Sequence, residues 1–492
     1  MTDTNLPRPR RAALVAALLP ALMLGGCMTV GPDYRGAPVS APAAAARGGF
    51  LRADAQTTSP VAPAPRWWES LADPVLSGLI DDALASSPDI AIASARITQA
   101  RAGLAAQKTA LVPTFNVSGV APYINLPANL LGGSDGGRTE TNIYSPALDA
   151  SWEADLFGGT RRKVEAASAR AEAADAGLAD ARVALSAEIA RTYAALRARQ
   201  SSSALLDRQA AIDTQLATLA EQRFNAGTAP EQPLDQVRAQ QAQTAADQAK
   251  AKAEAQVLTD QLAVLTGKEP GALDSLLASP APVPLPPAQV AIGDPASVLR
   301  QRPDIRRAER SLAAANADIG AKMADRFPKL TFTGFLGIGG SSLGDIFDPA
   351  SIIGLALPQL KWNLFDAGRS AAQVRNARGA YAEAEAQYRK VVLGALQDAE
   401  GSLSRFGGMR IAYARALDSQ NAAARSATLQ QARAQGGTIG RSDSLAAERQ
   451  QIQASLAVVS AQTDFTNAFI AVEKALGLGW ETPAAPEGQL RK

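Results

Sequence analysis

IYSPALDASWEADLFGGT, residues 143–160, carries the switch that decides the fold. Up to Glu153 the pattern alternates. Tyr144, Leu148 and Trp152 fall on one side of an extended chain, and Ser145, Asp149, Ser151 and Glu153 on the other. Period two marks a strand with two unlike faces. A segment of about ten residues, apolar on one face and ending in an aromatic, fits a transmembrane β-strand. A half-buried strand of a soluble sheet reads the same way. After Asp155-Leu156-Phe157-Gly158-Gly159 the period changes. Leu178, Leu185, Ile189 and Leu196 recur at 7, 4 and 7, then Leu205, Ile212, Leu216 and Leu219 at 7, 4 and 3. That is coiled-coil spacing, and it predicts one helix over about 160–224. About 65 helical residues reach roughly 100 Å, more than a compact core needs, so an elongated protein is expected.

Working outward, the plan occurs twice. Ser87-Pro88-Asp89-Ile90 is echoed by Arg302-Pro303-Asp304-Ile305, and Pro113 by Pro328, both 215 residues on. Trp152 to Phe157 is echoed by Trp362-Asn363-Leu364-Phe365, and Gly227-Thr228 by Gly437-Thr438. Order is kept throughout, as an internal duplication requires. Each copy reads helix, strand pair, very long helix, tight turn, helix. The first repeat is assigned to 66–279, with strands at about 113–126 and 142–154. The second is assigned to 297–480, with strands at about 328–338 and 351–364 and a long helix over about 369–435, where Val374, Tyr381 and Tyr388 stand at sevens. Residues 280–296 form a Pro-rich linker, since Pro suits neither helix interior nor inner strand. Residues 481–492 are a tail. Phe115, Val117, Ala121 and Tyr123 are expected on one face of the first strand, with Asn116 and Ser118 on the other.

The chain begins with Arg8, Arg10 and Arg11 and then an apolar run from Ala12 to Leu24. The run is too short to span a bilayer, which takes about 20 residues. A basic start and a short apolar core mark a secretory signal, here 1–26. It ends Leu24-Gly25-Gly26-Cys27, which resembles the bacterial lipobox. That resemblance implies lipidation of Cys27 and, with Met28 rather than an acid following, export to the outer membrane. A buried free thiol is the plainer alternative. Residues 27–65, rich in Ala, Pro and Gly, read as a lipid-anchored extended tether.

Composition narrows function. The 492 residues hold 49 basic and 47 acidic side chains, no His and one Cys, with net charge +2. No nucleic-acid partner is expected, because phosphate binding needs a basic excess. Scarce His and Cys argue against most metal and acid–base sites, so no metal, no cofactor and no enzyme activity are expected. Four strands cannot close a barrel, and an open edge cannot face lipid. Either the sheet is soluble or several chains share one barrel. Three copies would give twelve strands. Asp149, Ser151, Glu153 and Lys361 would then line the lumen, and Trp152 and Trp362 would mark the membrane interface.

Cys27-Met28-Thr29-Val30-Gly31-Pro32-Asp33-Tyr34 resembles the mature start of lipoprotein outer-membrane factors, the TolC-like, NodT-type channels of resistance-nodulation-division pumps. Arg66-Trp67-Trp68, Asp73-Pro74-Val75-Leu76, Asp155-Leu156-Phe157-Gly158-Gly159 and Leu364-Phe365-Asp366-Ala367-Gly368-Arg369 are similar to that family's segments in order. The resemblance implies a mainly α fold with a transmembrane β-barrel. A long periplasmic α-helical barrel would join four β-strands per chain in a shared 12-stranded barrel of a homotrimer. It implies outer-membrane lipid, a periplasmic adaptor and an inner-membrane resistance-nodulation-division transporter as partners. The function implied is a passive exit duct for small molecules or drugs. A periplasmic adaptor-type lipoprotein, a type I secretion outer-membrane component and a secreted enzyme with coiled-coil insertions are the rival readings.

The two turns, with Gly227, Thr228, Gly437 and Thr438, would cap helices. By resemblance they are also adaptor-contacting tips. Asp443 stands at the family's spacing for a gate aspartate, with Arg441 able to pair with a neighbouring carboxylate. Three copies of Asp443 would concentrate negative potential on the axis. An acid in a first helical turn is also favoured by the helix dipole alone. The second family aspartate is Ala446 here, and the copy-one match to Asp443 is Pro233. Leu445 reads as a core position or as a hydrophobic constriction.

Overall fold

A computed structural model describes residues 29–127 and 138–480. Cys27 and most of the Gly-rich connection Leu131 to Arg138 lie outside the described residues. In chain order the elements are α1 (Pro42–Ala46), β1 (Thr58–Ser59), α2 (Pro74–Ser86), α3 (Pro88–Thr109), β2 (Thr114–Val120), β3 (Tyr123–Pro127), β4 (Arg138–Asn142), β5 (Ser145–Ala154), α4 (Gly159–Asn225) and α5 (Gln232–Leu265). There follow α6 (Asp274–Leu277), β6 (Val290–Ala291), α7 (Pro295–Gln301), α8 (Pro303–Ala324), β7 (Lys329–Ile338), β8 (Ile352–Lys361), α9 (Arg369–Gln435) and α10 (Arg441–Ala475). The long helices α4 and α9 each have 67 residues. No described helix is long and apolar enough to cross a membrane.

The chain divides into two compact units that cut across the repeats. One comprises Met1–Pro38, Ile97–Ala173 and Ala308–Tyr388; the other Val39–Arg96, Ala174–Arg307 and Arg389–Lys492. The first holds an antiparallel sheet in the order β2-β5-β7-β8 and a separate β3–β4 hairpin. The single strand expected over 113–126 is thus two. Pro122 has no N–H to give a ladder, and its carbonyl instead accepts from Ile143 N at 3.0 Å, where the partner strand also breaks. Ala121 therefore belongs to neither face of the sheet, and Tyr123 belongs to the hairpin.

The second unit holds the main core. Trp67 and Trp68 are buried edge to face, their centroids 5.9 Å apart, and Trp67 meets Phe469 at the same distance. Leu185, Ile189 and Leu196, the heptad residues of α4, join them. Asp73 caps α2 by accepting from Val75 N and Leu76 N, both at 3.0 Å, and takes the Tyr193 hydroxyl at 2.8 Å.

The echoed Pro-Asp-Ile motifs brace the ends of the hairpin helices. An added Cβ on Gly267 would lie 2.5 Å from Ser86 O, and one on Gly477 would lie 2.8 Å from Arg302 Cγ. Buried Arg302 donates to Ala475 O at 2.6 Å, the C-terminal carbonyl of α10, where a cation is favoured.

Part of the extended segment over 27–65 is paired down onto the linker. Thr58 and Ser59 pair in parallel with Val290 and Ala291 of the Pro-rich linker. The linker also packs down, with Thr466 Oγ1 donating to Pro284 O at 2.7 Å.

Candidate functional site

The sheet is the first candidate, because its faces differ. Directly opposed residues share a face, so the register assigns both sides. Phe115, Val117, Leu148, Trp152, Phe332, Leu336, Pro358 and Leu360 lie on one. Val117 is 84% exposed and Leu360 66%. Asn116, Ser118, Asp149, Ser151, Glu153, Thr331, Thr333, Gln359 and Lys361 lie on the other. Strands β2 and β8 are its edges, each paired on one side only.

The two expected interface tryptophans are held alike. Trp152 Nε1 donates to Leu111 O at 3.2 Å, and Trp362 Nε1 to Arg326 O at 3.1 Å. Each indole is tied to the turn that precedes the first strand of its copy. Trp152 also stacks on Phe332 at 5.7 Å. Below the strands, Asp155 accepts from Thr160 N and Arg161 N at the start of α4. Asp366 accepts from Gly368 N and Ser370 N around the start of α9. These bonds to the anion hold the Asp366 carboxyl below its usual pKa, Ser370 contributing most.

A built seat for the N-terminal segment was not foreseen. Val30 N donates to Phe157 O at 3.1 Å. The Arg162 side chain, 4% exposed, donates to Val30 O at 3.2 Å, Gly31 O at 3.3 Å, Asp33 Oδ1 at 2.6 Å and Glu165 Oε2 at 2.7 Å. Asn316 Nδ2 donates to Pro32 O at 2.9 Å. Gly31 has φ +97°, and a Cβ there would sit 2.4 Å from Gly320 Cα. Backbone carbonyls do most of the accepting, and they leave no side-chain signal in a sequence.

The tips repeat one geometry. Gly227 and Gly437 have φ +70° and +72°. Thr228 N donates to Arg223 O, and Thr438 N to Arg433 O, both at 2.9 Å. Each threonine hydroxyl reaches that same carbonyl at 3.0 Å. This is the Schellman closure, with glycine in the left-handed position.

Of the residues expected at a gate, Asp443 is exposed and caps α10, accepting from Gly440 N at 3.2 Å. Arg441 finds its carboxylate within its own helix, Glu448 at 3.3 Å, and also donates to Gln215 Oε1 at 3.3 Å. Of its two readings Leu445 takes the core one: it is fully buried with Ile212 and Ile452 and packs the chain's own core. Beside it lies a polar cluster that the sequence did not reveal. Asp213, 1% exposed, accepts from Thr244 Oγ1 at 2.6 Å and faces Arg449 Nε at 3.4 Å.

The family model described as outer membrane efflux protein matches residues 79–268 and 295–478. The solvent efflux pump outer membrane protein SrpC of Pseudomonas putida is 30% identical, over 93% of this chain and 97% of that one. The outer membrane protein OprJ of Pseudomonas aeruginosa is 28% identical, over 95% and 96%. A solved structure of the outer-membrane channel OprN superposes with a TM-score of 0.78 at 31% identity, covering 91% of this chain and 99% of that one.

Proposed function

This chain belongs to the outer membrane efflux protein family, and from that premise we propose that three copies close one twelve-stranded barrel. The chain is an outer-membrane channel, the exit duct of an efflux pump, reaching into the periplasm. The observation that carries the trimer is the four-stranded sheet. Its apolar face is bare, its other face bears Asp149, Glu153 and Lys361, and β2 and β8 are open edges. An unpaired backbone group in hydrocarbon costs several kcal/mol, so the edges must meet strands of other copies. Membrane fractionation with heat-modifiable electrophoresis tests this. A heat-labile trimer in the outer-membrane fraction is expected. A monomer released with the periplasm would overturn it.

The finer assignments rest on the same reading. Cys27 carries the lipid. Gly227, Thr228, Gly437 and Thr438 form the tips that meet a periplasmic adaptor, which couples the duct to an inner-membrane resistance-nodulation-division transporter. Asp443 contributes the charge of the periplasmic gate, and Arg441 holds its surroundings by bonding to Glu448. Trp152 and Trp362 mark the membrane interface. SrpC is named for solvent efflux, and small organic molecules are the cargo class we assign here.

A further inference from the structure

The charged face of the sheet is not uniformly polar. Four residues in register cross it in one row: Asn116, Asp149, Phe335 and Leu355. The row above it runs Ser118, Ala147, Gly337 and Ile353, and the row below Thr114, Ser151, Thr333 and Leu357. The β2–β5 half of this face is polar. The β7–β8 half carries Phe335, Ile353, Leu355 and Leu357, the last three 50–55% exposed. The Phe335 ring lies along this face over Gly337, where an added Cβ would come within 2.8 Å of its Cζ. Directly opposed side chains on one face stand about 5 Å apart at Cβ. Asp149 therefore stands directly opposite Phe335, whose ring leans over the neighbouring row, with a leucine beyond it. Its partner is a hydroxyl, Ser118 Oγ at 2.6 Å, and not a cation.

A barrel interior is normally polar, while lipid-facing positions are apolar. Pairing β8 with another copy would satisfy its edge and leave this face turned inward. A carboxylate beside exposed apolar and aromatic surface suits a ligand that is both cationic and greasy. We propose that the Asp149–Phe335–Leu355 row is a lumen subsite for lipophilic organic cations, a conclusion that rests on the shared-barrel reading. Such cargo sets its charge against Asp149 and its hydrocarbon on Phe335 and Leu355. Hydrophilic cations meet only the carboxylate.

The test uses the full chain, reconstituted in phosphatidylcholine vesicles, with Leu355→Cys and Val117→Cys as separate variants and the unsubstituted chain as background. A membrane-impermeant maleimide should label Leu355→Cys and not Val117→Cys. Tetraphenylphosphonium should slow labelling of Leu355→Cys several-fold, tetraethylammonium should not, and adding Asp149→Asn should weaken the protection. Equal labelling of both cysteines, or none of Leu355→Cys, would overturn the barrel reading and the subsite with it. Labelling of Leu355→Cys alone, with equal protection or no protection by the two cations, would overturn the subsite and leave the barrel standing.

Discussion

Glu473 shows what a single position can cost. It is 4% exposed in the core of α10. At the same turn of the first copy, where Lys268 N donates to Ala263 O as Leu478 N donates to Glu473 O, the residue is a buried alanine. Burial pushes the Glu473 pKa up to about 8 from 4.5. Between those values the folded chain keeps a proton that the unfolded chain has released. Stability therefore falls as pH rises from about 4.5 to about 8 and is flat beyond, a loss on the order of a few kcal/mol. Glu473→Gln should raise the thermal midpoint at pH 8, leave it nearly unchanged at pH 4.5, and flatten the dependence between, as read by circular dichroism. Asp443 needs a different substitution. Alanine would remove both its charge and its cap, whereas Asp443→Asn keeps an acceptor for Gly440 N. Cation block in planar bilayers should weaken in Asp443→Asn with the melting midpoint held; unchanged block removes Asp443 from the gate. Residue roles were unevenly legible. Gly227 and Gly437 announce themselves because a left-handed turn selects glycine. Leu445 does not, since a leucine reads alike in a core and in a constriction. Arg162 was hidden because two of its four acceptors are backbone carbonyls and a third, Asp33, lies 129 positions away.

Among the elements, α9 carries the most telling exposure. Leu393, Ile411 and Leu429 are 47%, 63% and 66% exposed on it. Gly394, Gly401 and Gly408 follow one another at sevens, and a Cβ on Gly394 or Gly408 would meet nothing within 4 Å. Glycines at heptad spacing let another helix approach closely. Gly408→Leu should lower the temperature at which the proposed trimer dissociates on gels while leaving the helical circular dichroism spectrum intact. At the strand–helix junction, Asp155→Ala removes the acceptor for Thr160 N and Arg161 N, and should cost about 1 kcal/mol. A fall in melting midpoint, with strand content kept, is the measurement. The elements themselves were readable where periodicity was long. The strand that broke at Pro122 was misjudged because alternation continues across the proline, and only the ladder shows that a proline without an N–H leaves a single bond, Ile143 N to Pro122 O, where a regular pair would stand.

For the whole molecule, duplication was legible and the compact units were not. Repeats announce themselves by matched motifs in order. Each unit, however, takes segments from both copies, for instance 97–173 with 308–388, and no local pattern encodes that pairing. The N-terminal seat follows from the same interleaving. Its walls are Arg162 from α4 and Asn316 with Gly320 from α8, while its occupant is residues 30–33. The bonds span 129 to 284 positions of sequence. Contacts so distant along the chain form slowly, since loop closure must precede them. Residues 30–33 can therefore be seated only once both helices that wall them are in place. Until α4 and α8 have come together, residues 30–33 lack the donors that hold them, so the meeting of the two copies is what anchors this segment.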